Sequence, residues 1–474
     1  MDIIERIKND EEVSVEEVIN LDIGVIRELF NDGKNYTIYR KLFEYCIAYR
    51  ETDDSKILYL LGKMYHDGKG VEKNFDEAFK YFKMAVEKGD SYAMNGLGYM
   101  YDIGEVVERN YDEAIKYYKM SIEKGNSYAM HNLGYMYHNG EGIERNIEEA
   151  IKYYKMAIEK GNSNAMFNLG YMYQYGKGVE KNYEKAIKYY KMAIEKGDSD
   201  AMYNLGHMFH TGFDVEKNFE EAIKYYKMSI EKGNSNAMYN LGLMYHNGEG
   251  IERNIEEAIK YYKMAIEKGN SNAMYNLGYM YDNGEGVERN VEDAIKYYKM
   301  AIEKGNSNAM FNLGLIYHNG DEVEKNIGET IKYYKMAVEK GDIDAMNNLG
   351  YMYQYGDGVE QNYEETIKYY KMSIEEDCEQ VVVETNLLAL IDKINELSTM
   401  EKIKYYNMLN RCEKTKEYAK KIIIKQETDD IVQMYNIIEE MRQEVKELRT
   451  HVEYMPDGIG YQEAKTEFET LQQK

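Results

Sequence analysis

The chain reads as an all-α, right-handed solenoid of αα-hairpins, and three regularities predict it. Nine glycines, Gly62, Gly98, Gly134, Gly170, Gly206, Gly242, Gly278, Gly314 and Gly350, follow one another at intervals of 36 residues with no insertion or deletion. An asparagine keeps the same interval at Asn74, Asn110, Asn146, Asn182, Asn218, Asn254, Asn290, Asn326 and Asn362. Between these marks, small and apolar residues recur at helical spacing. A fixed period of this length describes units that cannot bury an apolar face alone and close a continuous core by stacking. Such an array offers a long surface rather than a catalytic pocket.

The repeat from Asn270 to Gly305 gives each element its reason. Ala273, Leu277 and Tyr281 stand at i, i+4 and i+8, one face of a first helix, helix A. Gly278 sits beside that stripe, where a missing Cβ lets a neighbouring helix approach. Gly284 and Gly286 mark a turn that needs positive φ. Asn290 then caps a second helix, helix B, whose first turn carries Glu292 and Asp293 as the helix dipole favours. Ala294, Tyr297, Tyr298 and Ala301 are expected to face the core, with Met300, and Gly305 to end the helix as its C′ residue. Lys296, Lys299, Glu303 and Lys304 form a solvated face.

The pattern A-x-x-x-L-G-x-x-Y-x-x-G-x-G-V, then A-x-x-Y-Y and a closing glycine, resembles the Sel1-like repeat, a relative of the tetratricopeptide repeat. Ala273, Leu277, Gly278, Tyr281, Gly284, Gly286, Val287, Ala294, Tyr297, Tyr298, Ala301 and Gly305 carry the match. It covers nine repeats, residues 54–377. The chain departs from the pattern at Asn290 and Met300, and Val106, Asp214 and Glu322 replace a loop glycine. The resemblance implies an adaptor that assembles other proteins. One hydrolase-linked branch of the family is rich in cysteine, unlike this chain.

Composition narrows the partner classes. Of 474 residues 51 are Tyr and 31 Met, with no Trp, and the formal charge is −25. Phosphate-tracking surfaces rest on Lys and Arg, so neither nucleic acid nor an anionic membrane is expected as a partner. Cys46, Cys378 and Cys412 make no disulfide framework and no metal spacing, which fits a reducing compartment, and a cytoplasmic location is expected. The opening residues lack the charged and apolar regions of a leader, and no stretch is long enough to span a bilayer.

The frame continues in worn form at both ends. Phe43 and Tyr45 precede Phe79 and Tyr81 by one period, so residues 1–53 are read as a helical cap with a half-repeat. Residues 378–430 are read as a degenerate tenth repeat with capping helices, since Tyr405 and Tyr406 follow Tyr369 and Tyr370 by one period. In residues 431–474, Ile431, Met434, Ile438, Met441, Val445, Leu448 and Val452 alternate at spacings of three and four, an a/d seam ended by Pro456. That helix either pairs as a coiled coil, giving a homodimer through residues 431–455, or packs back on the array.

Function is sought where repeats differ despite recent duplication. Residues 135–170 and 243–278 differ only at Tyr135/Leu243 and Phe167/Tyr275, so shared surface residues record history as much as constraint. Variation gathers in three helix-A columns, three before the repeat glycine, one after it and four after it. The expected partner-binding groove takes Asn95, His131, Phe167, Tyr203, Tyr239, Tyr275 and Phe311 from the first column. Tyr171, His207 and Tyr279 come from the second, and His210 and His246 from the third. Tyrosine suits such a surface because it joins apolar area to a hydroxyl. Drift of unconstrained positions is the competing account. His207, His210 and His246 can approach one another, yet no carboxylate or cysteine completes a ligand set, so a pH-sensitive interface is favoured over a metal. The Gly-x-Gly loops lack the Lys-Ser/Thr of a phosphate cradle, and no acid–base or nucleophile constellation is present. The expected function is a non-enzymatic scaffold binding a protein or peptide along the concave helix-A groove, without cofactor. The alternative is a self-assembling structural protein using the C-terminal helix.

Overall fold

A computed structural model describes residues 36–376, apart from 52, 53, 213, 214 and 321. The tenth repeat, the C-terminal heptads with their dimer, and Asp214 lie outside the described residues. Among those described, 19 helices and no strand occur. Tyr36–Ala48 comes first, and nine hairpins follow, from Ser55–Asp67 with Phe75–Glu87 to Ile343–Tyr355 with Tyr363–Glu376. The chain is a solenoid of helical hairpins. The described residues divide into two compact units, one ending at Ala258 and the other beginning at Ile259.

Local chemistry sets the ends of each helix. In the fourth repeat, helix A is Ser163–Tyr175 and helix B is Tyr183–Glu195, 13 residues each. The side chain of Asn162 accepts from the Ala165 amide, satisfying a donor the helix cannot. Asn182 does the same for helix B, accepting from the Lys185 amide at 2.9 Å. Its own amide donates to the Tyr173 carbonyl at 2.9 Å, which ties the loop to the end of helix A. The helix-A cap column mixes Asp90 and Asp198 with asparagines, and both residue types cap alike by accepting from the third amide of the helix.

The core is assembled between repeats. In the first unit, Met130 of one helix A, Ala150, Tyr154 and Ala157 of its helix B, and Ala165, Leu169 and Met172 of the next helix A form one cluster. In the second unit, Met310, Tyr334, Ala337, Ala345, Leu349 and Met352 do the same. Tyr298 is fully buried as expected, while Tyr297 is half-buried and stacks on Tyr281 with ring centroids 5.8 Å apart. Gly278 makes the anticipated close approach, since a Cβ there would stand 2.8 Å from the Tyr298 ring. Cys46 occupies the equivalent buried slot of helix Tyr36–Ala48, and burial pushes its thiol up to about 12.

Loop glycines take the left-handed backbone the turn requires, with φ of 69° at Gly284 and 72° at Gly286. Where the glycine is missing the turn persists: Val106 has φ 69° and Glu322 has φ 59°. A β-branched side chain is disfavoured there by about 1–2 kcal/mol. Val106→Gly is therefore expected to raise the unfolding free energy by up to about 1 kcal/mol once glycine's extra unfolded-state entropy is offset, and the urea midpoint with it. An unchanged or lower midpoint in a urea titration would show that Val106 is not strained.

Candidate functional site

The three variable columns of helix A occupy three different environments. Residues three before the repeat glycine are tucked between hairpins. Asn95 is buried, and His131, Phe167, Tyr203, Tyr239, Tyr275 and Phe311 are half-buried. Several are held by the asparagine of the following helix A. Asn132 Nδ2 donates to Asn95 Oδ1 at 3.1 Å, Asn168 Nδ2 to His131 Nε2 at 3.0 Å, Asn240 Nδ2 to Tyr203 Oη at 3.4 Å and Asn312 Nδ2 to Tyr275 Oη at 3.4 Å. His131 Nδ1 stands 3.0 Å from Asn132 Oδ1, so both ring nitrogens are satisfied by the neutral imidazole. Burial accordingly lowers its pKa.

Residues four after the glycine face inward to the buried tyrosines of helix B. Tyr118 Oη donates to Asp102 at 3.2 Å, Tyr190 Oη to Gln174 at 2.6 Å and Tyr370 Oη to Gln354 at 2.8 Å. The asparagine of the next helix A completes the set, Asn240 reaching Tyr226 Oη at 3.2 Å and Asn348 reaching Tyr334 Oη at 3.3 Å. The result is a polar ladder that satisfies hydroxyls the core would otherwise leave unpaired. Its signal in the sequence is a residue able to accept or donate, sixteen before each buried tyrosine.

The same column also reaches the loop of the next repeat. His66 Nε2 lies 3.0 Å from Glu105, His210 Nε2 lies 2.8 Å from Glu249, and His318 Nε2 lies 2.9 Å from Asp357. His210 is thus engaged by Glu249 and, through Nδ1, by the Tyr226 hydroxyl at 3.2 Å. His207 has its pKa lowered by burial and by nearby His210. Among the described residues, no group of three or more His, Cys, Asp or Glu is placed to hold a metal ion.

These pairs have an acid signature. The hydrogen bond from His210 holds Glu249 below the usual carboxylate range, and that from His318 does so for Asp357. A depressed carboxyl pKa contributes stability that is present above the unfolded value, about 4, and lost as pH falls through the folded value. His210→Gln with His318→Gln is therefore expected to flatten the loss of melting temperature between about pH 5 and 3. An equally steep loss in the double variant would remove these pairs from the acid transition.

Only the column one after the glycine is open. Tyr99, Tyr135, Tyr171, Tyr279 and Tyr351 are 37–47% exposed, whereas His207, Leu243 and Leu315 are half-buried. Tyr171 and Tyr175 lie with ring centroids 4.6 Å apart, as do Tyr351 and Tyr355. Phe167 stands 6.2 Å from Tyr171, so three rings run along one face of Ser163–Tyr175. Tyr175 and Tyr355 were missed in the sequence reading, although their i+4 spacing from Tyr171 and Tyr351 was legible. The eight helices A from Ser91–Ile103 to Ile343–Tyr355 contain no Lys or Arg. Lysines line helix B instead, where pairs such as Lys152–Glu149 at 3.0 Å lie one turn apart.

No described helix is long and apolar enough to cross a membrane. No curated protein matches the chain. Among solved structures, a protective antigen of uropathogenic Escherichia coli displaying an SLR fold is similar, with 24% identity and a TM-score of 0.51 over 90% of this chain and 93% of that one. A Sel1 repeat protein from Oxalobacter formigenes has 35% identity and a TM-score of 0.48, over 53% of this chain and 100% of its own. The Sel1 repeat model matches residues 57–90, 91–126, 127–162, 163–198, 199–234, 235–270, 271–306, 307–342 and 343–378. With nine consecutive repeats, the chain belongs to the Sel1 repeat family, whose fold generally serves protein–protein interaction.

Proposed function

We propose that the protein is a non-enzymatic scaffold that docks a protein or peptide partner on the helix-A face, in the cytoplasm. The exposed tyrosine column carries this reading. Eight of the nine helices A are free of Lys and Arg, the first alone carrying Lys56 and Lys63, while every helix B is rich in lysine, and such a surface is suited to desolvation. Exposed rings on successive hairpins give a partner repeated apolar anchors with a hydroxyl at each edge. In the first unit the half-buried Phe167, Tyr203 and Tyr239 back that column, and in the second Tyr275 and Phe311 do so separately; His207 belongs to the column, while His210 is committed to Glu249 and the Tyr226 hydroxyl. Neither a nucleophile nor a cofactor enters this account.

The test compares affinity capture by the intact chain and by a Tyr135→Ser, Tyr171→Ser variant, each checked by circular dichroism. Loss of a captured partner, with the melting temperature kept within a few degrees, is the expected result. Capture that survives the substitutions would take the function away from this face.

A further inference from the structure

Within the second unit, a cavity of about 430 Å³ opens between helices Ser271–Asn283, Val291–Glu303 and Ser307–Asn319. Val291, Leu315 and Ile316 wall it, and Asp282, Arg289 and Asn319 are among its polar lining. Ligand sites commonly occupy about 300–1,000 Å³. The first junction between repeats holds His66, Phe75 and Tyr99 at the positions of Asp282, Val291 and Leu315. There three rings pack together, the His66 centroid standing 5.5 Å from that of Phe75 and 6.0 Å from that of Tyr99. Every other junction of the nine repeats keeps at least one ring in the Phe75 and Tyr99 columns, as Tyr111 with Tyr135, Phe219 with Leu243 and Ile327 with Tyr351 do. Val291 and Leu315 alone are both aliphatic, and Ile316 replaces the methionine of the other repeats.

The loop above matches this loss of size. A Cβ at Gly142 would collide with Tyr111, and one at Gly250 with Phe219. Glu322 takes the place of those glycines, and the helix-B residue in the matching position is Val291. The cation beside the cavity has likewise lost its usual neighbour. Lys73 Nζ lies 4.2 Å from the centre of the Phe75 ring, Lys217 Nζ 4.6 Å from that of Phe219, and the Arg109 guanidinium carbon 5.7 Å from that of Tyr111. Arg289 is the equivalent cation, and its helix-B neighbour Val291 is not a ring. Arg289 Nε donates to the Asp282 carbonyl oxygen at 2.7 Å, and Nη1 to Glu322 at 2.7 Å. Those bonds use the guanidinium edge, whereas its face is the part that stacks on an aromatic ring. Asp282 accepts from Tyr298 Oη at 3.3 Å and Glu322 is paired with Arg289, which favours a neutral occupant over a charged one.

We propose that this cavity takes a neutral aromatic ring, the side chain of a tyrosine or phenylalanine in a partner protein, which supplies the ring missing at Val291 and Leu315. Leu315 belongs to the column one after the repeat glycine, so a protein as the source of the ring rests on the docking reading, whereas the preference for a ring does not. The probes are p-cresol and the pentapeptides Gly-Gly-Tyr-Gly-Gly and Gly-Gly-Leu-Gly-Gly, titrated into the full chain carrying labelled Ile, Leu and Val methyls and followed by NMR. Tyrosine already stands in the Leu315 column at Tyr279 and Tyr351, so Leu315→Tyr is a variant that fills the cavity with a residue the repeat accepts. Leu243 is the internal control, because its junction keeps the Phe219 ring.

Ring-current shifts are expected at the Val291, Leu315 and Ile316 methyls and not at Leu243. The tyrosine peptide should bind about fivefold tighter than the leucine peptide. Leu315→Tyr should weaken p-cresol and the tyrosine peptide by at least about tenfold, read on Val291 and Ile316. Unmoved methyls, equal shifts at Leu243, or equal affinity for the leucine peptide overturn the proposal. Binding of p-cresol without the tyrosine peptide overturns a protein segment as the source of the ring. A partner captured by the Tyr135→Ser, Tyr171→Ser chain but lost from Leu315→Tyr would overturn the exposed-tyrosine reading and support the cavity.

Discussion

Gly170→Ala is expected to destabilise the first unit by about 3 kcal/mol, at the upper end of core overpacking. A Cβ at this position would stand 2.7 Å from both Cδ1 and Cε1 of Tyr190 and 3.3 Å from the Ala186 carbonyl oxygen. Tyr190 cannot retreat cheaply, because its ring is fully buried and its hydroxyl donates to Gln174 at 2.6 Å. The helix pair must separate or the ladder must break. Because each repeat is stabilised by its neighbours, the loss should propagate to the adjoining hairpins rather than stay local. Gly125→Ala is the control. Its backbone has φ 81° but nothing lies within 4 Å, so only backbone strain of about 1–2 kcal/mol is added. Urea titration of the two variants separates packing from strain. Equal destabilisation would mean that the close approach is not what holds Gly170 in place.

Removing the buried ring itself should be costlier. Tyr190→Ala is expected to lose about 3–5 kcal/mol, the usual cost of emptying an aromatic slot. Tyr190→Phe isolates the ladder from the packing, keeping the ring while leaving Gln174 Oε1 without its donor, at about 1–3 kcal/mol. Tyr226→Phe should cost in the same range, since Asn240 donates to that hydroxyl and His210 Nδ1 contacts it. A Phe substitution with no effect at either site would reduce the ladder to a by-product of packing. The ordering Ala well above Phe, and Phe above the intact chain, is what the geometry requires.

Some of this was legible in the chain and some was not, for physical reasons. Gly278, Asn290, Ala294 and Tyr298 could be assigned from sequence because each meets a requirement that is local or repeats every period. These are a missing Cβ at a close approach, a side-chain acceptor at a helix start, and small or large residues on one helix face. The variable columns were found in the same way, but their environments were not separable. Tyr203 and Tyr171 lie on the same helix side of the pattern, yet Tyr203 is bonded to Asn240 and half-buried while Tyr171 faces solvent. That difference depends on how one hairpin crosses the next, which no spacing within a helix encodes. His210 shows the same limit. Its sequence neighbours pointed to His207 and His246, whereas its imidazole meets Glu249, which arrives from the following loop. The tolerance of Val106 and Glu322 for positive φ is likewise a property of the closed loop, not of the residues.

On the proposed function, the column one after the repeat glycine is the working surface and the helix-B tyrosines are structural. Nitration with a tyrosine-selective reagent, with and without the captured partner and mapped by mass spectrometry, tests it most directly. Tyr99, Tyr135 and Tyr171 are expected to be modified in the free chain and protected in the complex. Fully buried Tyr154 and Tyr190 should stay unmodified in both. Protection that falls instead on the half-buried helix-B residues Tyr153 and Tyr189, with Tyr135 and Tyr171 still reactive, would contradict it.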